Sequence, residues 1–225
     1  MKRDRAKTVP ASPASRTLVV DWDGTITEHD MLDDVAQRFG DPAVYQQIDD
    51  DLHASRITLR ECITREYEPV RAPLDEVVGY VLERTTVRAG FRELVALAAA
   101  KGWPLVILSS GFHELIRPVL AREGVDVQLI ANAVEPDPAG WRVRWRDEAI
   151  CPVCGEACKR ASLPDGRGRG ELVYVGDGFS DRCAARASDR IFARRTLARY
   201  LSEQGVPFEP FDDFFDVVAA LGAPA

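Results

Sequence analysis

Residues 19–27 read VVDWDGTIT, and this stretch is the most informative one for predicting the fold. The apolar residues 18–20 predict a short buried strand. Two carboxylates, Asp21 and Asp23, follow directly at the end of that strand. Because side chains alternate between the two faces of a strand, we expect both carboxylates to project to the same side. Open α/β sheets carry their chemistry at the carboxyl ends of strands, so this pair is the first candidate site.

Two carboxylates this close repel one another unless a proton or a cation lies between them. One of the pair could attack a phosphoryl group while its neighbour transfers protons, and a divalent metal would offset the charge. A bare D-x-D-G is also typical of an acidic β-turn, and on its own that interpretation would be the better one. Three motifs further along the chain favour the catalytic interpretation.

Composition and charge narrow the function classes. The 225 residues are 46% hydrophobic and carry a formal net charge of −7, which argues against general binding to nucleic acid or anionic membranes. No apolar run approaches membrane-spanning length, and the first one is broken at Asp21, too early for a signal peptide. Five cysteines, three of them clustered, favour a reducing compartment. We therefore expect a cytoplasmic monomer or homodimer that binds neither nucleic acid nor a membrane.

The hydrophobic pattern divides the chain into three kinds of segment. Residues 1–16 mix charged residues with Pro, Ser and Ala and predict a disordered tail. Residues 29–87 have helical periodicity without a strand signal, which predicts an inserted helical cap. In 17–28 and 88–225 strand and helix patterns alternate. The predicted fold is therefore α/β, with a Rossmann-like parallel-sheet core and a helical cap.

Local signals place several elements within this outline. Asp41, which precedes Pro42, and Thr58 are predicted helix N-caps. Residues 104–108 and 172–175 are apolar throughout and predict buried parallel strands. Residues 133–145 contain a Pro/Gly turn between two strand patterns and predict a hairpin.

The second motif, Ser109-Ser110-Gly111, follows the strand predicted at 104–108. Ser109 can donate from its hydroxyl, and we expect the amides of Ser110 and Gly111 to point from a helix N-terminus toward an oxyanion. Ordinary helix capping by Ser or Gly gives the same pattern, so this motif is weak when taken alone.

The third motif is Lys159, a compact cation that can hold both a phosphate and a nucleophile. A solvated surface lysine is the usual alternative. The chain has few lysines, however, and only Lys159 lies between the second and the fourth motif. The four are Lys2, Lys7, Lys101 and Lys159.

The fourth motif is GDGFSD at 176–181, where Asp177 follows a predicted strand and Asp181 lies four residues further on. This spacing would put both carboxylates on one face of a starting helix. Together with Asp21 and the backbone carbonyl of Asp23, they could form an oxygen-rich Mg²⁺ site. A turn with a capped helix is the alternative, which the order of all four motifs disfavours.

The order D-x-D-G-T, S, K and G-D-G-x-x-D resembles the haloacid dehalogenase superfamily of phosphatases. The helical insertion is similar to the C1-cap group that includes phosphoserine phosphatase. The C-K pair at 158–159, together with FAR at 192–194 and PF at 207–208, resembles the methionine-salvage 2-hydroxy-3-keto-5-methylthiopentenyl-1-phosphate phosphatases. The resemblance spans residue 17 to about residue 220.

This resemblance implies a Mg²⁺-dependent phosphomonoesterase that hydrolyses a small phosphorylated metabolite through an aspartyl-phosphate. It makes Asp21 the nucleophile and Asp23 the general acid/base. The implied phosphate-binding residues are Ser109, Ser110, Gly111 and Lys159. The implied Mg²⁺ site consists of Asp21, Asp23 and Asp177, with Asp181 in support. A phosphotransferase or mutase of the same superfamily and a non-catalytic zinc-containing interaction module are the alternatives.

Asp30 departs from the pattern of phosphoserine phosphatases, which carry a glutamate there that contacts the substrate amine. An aspartate is one methylene shorter and would reach an amine less well. We therefore expect a substrate contact from Asp30 and a preference for a phosphorylated keto/enol or alcohol metabolite over phosphoserine. Trp22 and Phe112 could add apolar surface beside the substrate or belong to the core.

The segment CPVCG at 151–155 resembles a zinc knuckle, and Cys158 could add a third thiolate. A structural zinc site needs four ligands, and Cys62 and Cys183 are candidates only if the fold brings them near. Reduced cysteines in a loop that positions Lys159 are the alternative. The candidate zinc ligands are Cys151, Cys154 and Cys158.

Overall fold

The computed structural model describes residues 15–147, 150–156, 158–164 and 170–222. Most of the predicted tail, residues 1–14, lies outside the described residues. The predicted end of the tail at residue 16 is wrong, because Arg16 opens the first strand and pairs with Glu171 of a neighbouring strand. A charged residue at a strand end gives no hydrophobic signal, so composition placed it in the tail.

In the part of the chain that the structure describes, seven strands form a single sheet in the order β4-β3-β2-β1-β5-β6-β7. Every neighbouring pair is parallel except β3 and β4, which form a hairpin. The strands are β1 (Arg16–Val20), β2 (Leu105–Phe112), β3 (Gln128–Glu135), β4 (Arg142–Arg144), β5 (Glu171–Gly176), β6 (Arg190–Ala193) and β7 (Glu209–Pro210). The strands predicted at 104–108 and 172–175 are β2 and β5, and the hairpin predicted at 133–145 is confirmed.

Nine α-helices lie among the described residues. They are α1 (Met31–Phe39), α2 (Pro42–His53), α3 (Leu59–Tyr67), α4 (Leu74–Arg84), α5 (Phe91–Lys101), α6 (His113–Arg122), α7 (Arg182–Ala185), α8 (Arg195–Glu203) and α9 (Phe214–Gly222). The predicted caps are confirmed: Asp41 accepts from the first-turn amides of α2, and Thr58 forms a reciprocal capping box with Glu61 at α3. None of these helices has the length and apolarity needed to cross a membrane.

Helices cover both faces of the sheet, which explains the apolar runs within its central strands. Leu18 and Val20 of β1 pack into the cluster that includes the buried faces of α5, α6 and α9. Val19, between them, points to the opposite face and packs with residues of α7 and α8. The central strands are therefore packed between two layers of helices.

The helical segment between β1 and α5 leaves and re-enters the core at one point. Thr27 and Val87 form an antiparallel bridge there; Thr27 lies two residues before the predicted cap, and Val87 is its last predicted residue. Within this segment the structure describes α1 to α4 and no strand. The chain therefore passes from the core into the helical segment, and back again, through two short connections that lie side by side.

Arg88 follows the second of these connections and holds the chain that leaves β1. It is only 8% exposed, and its guanidinium donates to the backbone carbonyls of Gly24, Thr25 and Thr27 at 3.0, 2.8 and 2.9 Å. Nothing in the sequence pattern singled out Arg88, because its partners lie more than 60 residues away. One side chain thus satisfies three carbonyls of the turn after β1.

We expect Arg88→Met to destabilise the protein by about 2–4 kcal/mol, because it leaves three buried carbonyls without their donor. Arg84→Met is the matched control, since Arg84 is exposed at the end of α4. Urea unfolding of both variants measures the difference. A change of less than about 0.5 kcal/mol for Arg88→Met would contradict this role.

Candidate active site

Three neighbouring strands bring polar side chains to one edge of the sheet. Asp21 follows β1, Asp177 follows β5 and Ser109 lies near the end of β2, while β1 lies between the other two. A cavity of about 300 Å³ opens at this edge. Residues from the core that line it include Asp21, Asp23, Ser110, Lys159 and Asp177, and residues from the helical segment include Asp30, Asp33 and Glu66.

The turn after β1 spans Trp22–Ile26 and brings Asp23 back beside Asp21. Both carboxylates line the cavity, as the alternation predicted, although Asp23 lies in the turn and not in the strand. Gly24 makes the turn possible: its φ is +71°, and a Cβ there would lie 2.4 Å from Oδ2 of Asp177. Any larger residue would displace a carboxylate of the site.

Thr25 joins the two strand-end carboxylates. Its hydroxyl lies 3.2 Å from Oδ2 of Asp21 and 3.1 Å from Oδ1 of Asp177, so it can donate to either one. The sequence prediction gave Thr25 no role of its own. Its place in D-x-D-G-T, four residues after Asp21, was the available signal.

Lys159 is buried between two carboxylates. Its ammonium donates to Oδ1 of Asp21 and, at 2.7 Å, to Oδ1 of Asp181. Burial disfavours the charged lysine, but Asp181 and Asp21 outweigh that effect and raise the pKa of Lys159 above its usual value. The lysine is therefore a permanent cation in contact with the predicted nucleophile.

Asp181 acts as a support for this arrangement. Besides Lys159, its Oδ1 accepts from the hydroxyl of Tyr174 at 2.7 Å, and its Oδ2 accepts from the amides of Asp177 and Gly178 at 3.0 and 2.9 Å. Both oxygens are thus engaged by protein donors. Asp181 orients the lysine and the Asp177 turn, and Tyr174 is a further contributor that sequence reasoning missed.

The site carries an excess of negative charge. Burial, followed by the charge of Asp181, raises the pKa of Asp21, and the same two causes raise the pKa of Asp177 to about 6. Burial, followed by the charges of Asp30 and Asp21, raises the pKa of Asp23. Carboxylates crowded in this way bind protons or a cation.

The donor set fits a Mg²⁺ ion. Carboxylate oxygens of Asp21, Asp177 and Asp181 lie within 4.8 Å of one another, and all three residues are buried. Mg²⁺ prefers hard oxygen ligands and is usually bound through one or two carboxylates. Because Asp181 is already engaged, Asp21 and Asp177 are the carboxylates best suited to hold the ion.

The second motif differs from its prediction. Ser109, Ser110 and Gly111 do not open a helix; they extend β2, and α6 begins only at His113. The amide of Gly111 donates to Oγ of Ser109 at 2.8 Å, and that hydroxyl lies 3.4 Å from Oδ2 of Asp23. Of the three residues, Ser110 is the one among the described cavity-lining residues. An apolar strand ending in small residues does not show where extended backbone gives way to helix.

The helical segment forms the opposite wall of the cavity. Asp30 lines it and also caps α1 by accepting from the Asp33 amide at 3.0 Å. Burial, followed by the charge of Asp30, raises the pKa of Asp33 to about 8. Burial raises the pKa of Glu66 to about 7, an effect that the hydrogen bond from Cys62 reduces and the charge of Asp30 increases. Apolar side chains of Leu32, Leu52, Leu59 and Ile63 complete this wall.

Trp22 and Phe112 belong to the core. They are 2% and 0% exposed, and neither is among the described residues that line the main cavity. The structure therefore supports the interpretation in which both residues belong to the core, and not the one in which they form apolar surface beside the substrate.

The segment that contains Cys151, Cys154 and Cys158 directly precedes Lys159 in the chain. The fold adds a fourth cysteine to these three. Cys183, in α7, joins the three predicted cysteines, and all four sulfur atoms lie within 4.8 Å of one another. Cys62 does not take part, because it lies in α3 and donates to Glu66. The four clustered cysteines are Cys151, Cys154, Cys158 and Cys183.

The comparisons with known proteins agree on one family. The model of the haloacid dehalogenase-like hydrolases matches residues 18–186. The 2-hydroxy-3-keto-5-methylthiopentenyl-1-phosphate phosphatase of Geobacillus kaustophilus is 32% identical over 213 residues, which cover 91% of this chain and 94% of that protein. The polyol phosphate phosphatase of Saccharomyces cerevisiae is 27% identical over 226 residues, which cover 91% of this chain and 91% of that protein.

Solved structures agree on the fold. A phosphoserine phosphatase captured as a phospho-aspartyl intermediate analogue superposes with a TM-score of 0.69 at 14% identity, covering 92% of this chain and 99% of that one. A hydrolase of the same family from Salmonella enterica gives 0.73 at 17% identity, covering 96% and 74%. The predicted α/β fold and the predicted family are therefore confirmed. The chain belongs to the haloacid dehalogenase-like hydrolase family.

Proposed function

We propose that this protein is a Mg²⁺-dependent phosphomonoesterase that hydrolyses a small phosphorylated metabolite through an aspartyl-phosphate on Asp21. The observation that carries the proposal is the setting of Asp21. Its carboxylate lies at the end of a central strand, faces the cavity and contacts the ammonium of Lys159. The curated relatives named above are phosphatases, which supports the same reaction class.

In the first step, a carboxylate oxygen of Asp21 attacks phosphorus in line with the leaving oxygen. The bond from phosphorus to that oxygen breaks while Asp23 donates a proton to it. Burial raises the pKa of Asp23, which favours the protonated form that this step needs. The amide of Met31 and the hydroxyl of Ser109 lie 3.2 and 3.4 Å from its two oxygens and fix its orientation.

In the second step, Asp23, now ionised, removes a proton from water, and the water oxygen attacks phosphorus. The bond between phosphorus and Asp21 breaks, which frees inorganic phosphate and restores the carboxylate. Lys159 holds the negative charge of the transferring group throughout, and Ser110 faces the cavity where a phosphate would bind. Asp181 keeps the lysine in place.

Asp21 and Asp177, with the backbone carbonyl of Asp23, would hold Mg²⁺. The ion supplies positive charge that offsets the charge of the phosphoryl group and of the nucleophile. Zinc, the second metal considered from the sequence, has no part in these steps. None of the four clustered cysteines is among the described residues that line the cavity.

Residues 29–87 act in this proposal as a cap that covers the leaving group and excludes bulk water. The raised pKa of Asp33, about 8, favours a neutral carboxyl group near pH 7, and the raised pKa of Glu66, about 7, leaves about half of its carboxyl groups neutral at that pH. Neutral carboxyls exchange hydrogen bonds with hydroxyl and carbonyl groups and attract an amine only weakly. The apolar part of the wall suits a carbon skeleton. We therefore infer a phosphorylated keto/enol or alcohol metabolite as substrate.

Asp21→Asn should lower kcat by about 10³-fold or more, because the amide cannot form the acyl phosphate. An aryl-phosphate assay with and without Mg²⁺ measures the effect, and circular dichroism checks the fold. Asp126→Asn is the matched control, since Asp126 is exposed between α6 and β3. Steady hydrolysis by well-folded Asp21→Asn, free of wild-type protein, would rule out Asp21 as nucleophile.

Asp30→Ala should raise KM or change selectivity more than it lowers kcat, because Asp30 lies on the wall of the cavity where the leaving group would bind in this proposal. A panel of phosphorylated keto, alcohol and amino acid metabolites, compared by kcat/KM, measures this. Asp30→Asn keeps the α1 cap if the alanine variant is unstable. Asp34→Ala is the control, because Asp34 also lies on α1 but is not among the described residues that line this cavity.

The same panel tests the substrate class of the wild-type protein. Phosphoserine should be a poorer substrate than the best keto/enol or alcohol phosphate. The inference about Asp30 fails if phosphoserine exceeds the others by tenfold or more in kcat/KM, about 1.4 kcal/mol of discrimination.

A further inference from the structure

The four clustered cysteines have the spacing of ligands around one ion. Sγ of Cys151 and Sγ of Cys183 are 3.6 Å apart, and no sulfur pair in the cluster exceeds 4.8 Å. A disulfide would require about 2 Å, and all five cysteines are free thiols. Four sulfurs at about 2.3 Å from a central zinc ion would lie about 3.8 Å from one another. The 3.6 Å separation is close to the second geometry, and the 4.8 Å limit on the other pairs is compatible with it.

The loop around Cys151 has the turn that such a site needs. The amide of Cys151 donates to the carbonyl of Glu156 at 2.8 Å, and the amide of Gly155 donates to the carbonyl of Cys151 at 2.9 Å. Gly155 has a φ of +72°, which lets the chain reverse directly after Cys154. The amide of Val153 points at Sγ of Cys151 at 3.5 Å, a contact that favours a thiolate. The turn therefore presents two sulfurs to a common point.

The remaining two ligands come from segments that carry the active site. Cys158 immediately precedes Lys159, and Cys183 follows Asp181 by two residues. Lys159 and Asp181 are themselves joined by the 2.7 Å ion pair. The cysteine cluster therefore bridges the two chain segments that meet at this pair.

We propose that Cys151, Cys154, Cys158 and Cys183 bind one structural Zn²⁺ ion and that this ion fixes the position of Lys159. Each thiol releases its proton to solvent as it binds, so four thiolates surround the metal. A site with four protein ligands and no open position is structural and not catalytic. Soft thiolate ligands select zinc over Mg²⁺, so the two metals do not compete for one site.

Metal analysis of the full chain, purified without chelators from zinc-supplemented cells, tests the site. We expect about one zinc per wild-type chain and loss of most of it in Cys154→Ser and in Cys183→Ser. Cys62→Ser is the matched control for zinc content, because Cys62 lies in α3 outside the cluster. Wild-type protein without zinc, iron in its place, or full retention of zinc by Cys183→Ser would overturn the assignment.

Reaction with an amine-modifying reagent, read by peptide mass mapping, tests the effect on Lys159. Lys159 is 1% exposed, so it should resist modification in the zinc-loaded protein and react after zinc removal. Lys101 is exposed and should react in both states. Unfolding of the whole chain on zinc removal would also support a structural ion. Equal protection of Lys159 with and without zinc would show that the ion does not fix it. Neither measurement requires turnover, so both are independent of the proposed reaction.

Discussion

The buried ammonium of Lys159 is the contact on which the rest of the site depends. It holds Asp21, at the end of β1, and Asp181, in the helical turn that follows β5, and these two carboxylates would otherwise repel one another. Asp181 in turn binds the amides of the Asp177 turn, and Thr25 joins Asp177 to Asp21. A single cation thus holds this set of carboxylates together. The carboxylates outnumber the lysine, so the set can also bind a divalent ion. Burial makes each of these contacts stronger than it would be in water.

The sheet core and the helical segment contribute different residues to the cavity. The rigid, doubly covered sheet fixes the reacting groups at strand ends, where parallel strands place their chemistry. The chain enters and leaves the helical segment beside the Thr27–Val87 bridge, and the segment packs against the core through Tyr67, whose ring centroid lies 4.7 Å from that of Phe112. Its own carboxyls, Asp33 and Glu66, have raised pKa values because burial disfavours their charge. In the proposed reaction, the core supplies the catalytic groups, and the helical segment supplies the wall that would contact the rest of the substrate.

Local patterns in the sequence predicted those parts of the structure that depend on neighbouring residues. Apolar strands ending in acidic residues located Asp21 and Asp177, and capping residues located α2 and α3. Contacts between distant residues were beyond such patterns. Arg88 and Tyr174 act on groups that only the fold brings near, and Cys183 was one of two equal candidates until α7 placed it beside the loop. The expectation that Ser110 and Gly111 direct their amides from a helix N-terminus was wrong, because both residues continue β2 and α6 begins at His113.

The proposed reaction requires that Asp21 becomes phosphorylated during turnover. Acid quenching of the wild-type protein during steady hydrolysis, followed by peptide mass mapping, would detect this intermediate. We expect one added phosphoryl group on the peptide that contains Asp21, and its loss when the quenched protein is treated with hydroxylamine, which cleaves acyl phosphates. A phosphoryl group on any other residue, or steady turnover with none on the protein, would contradict it.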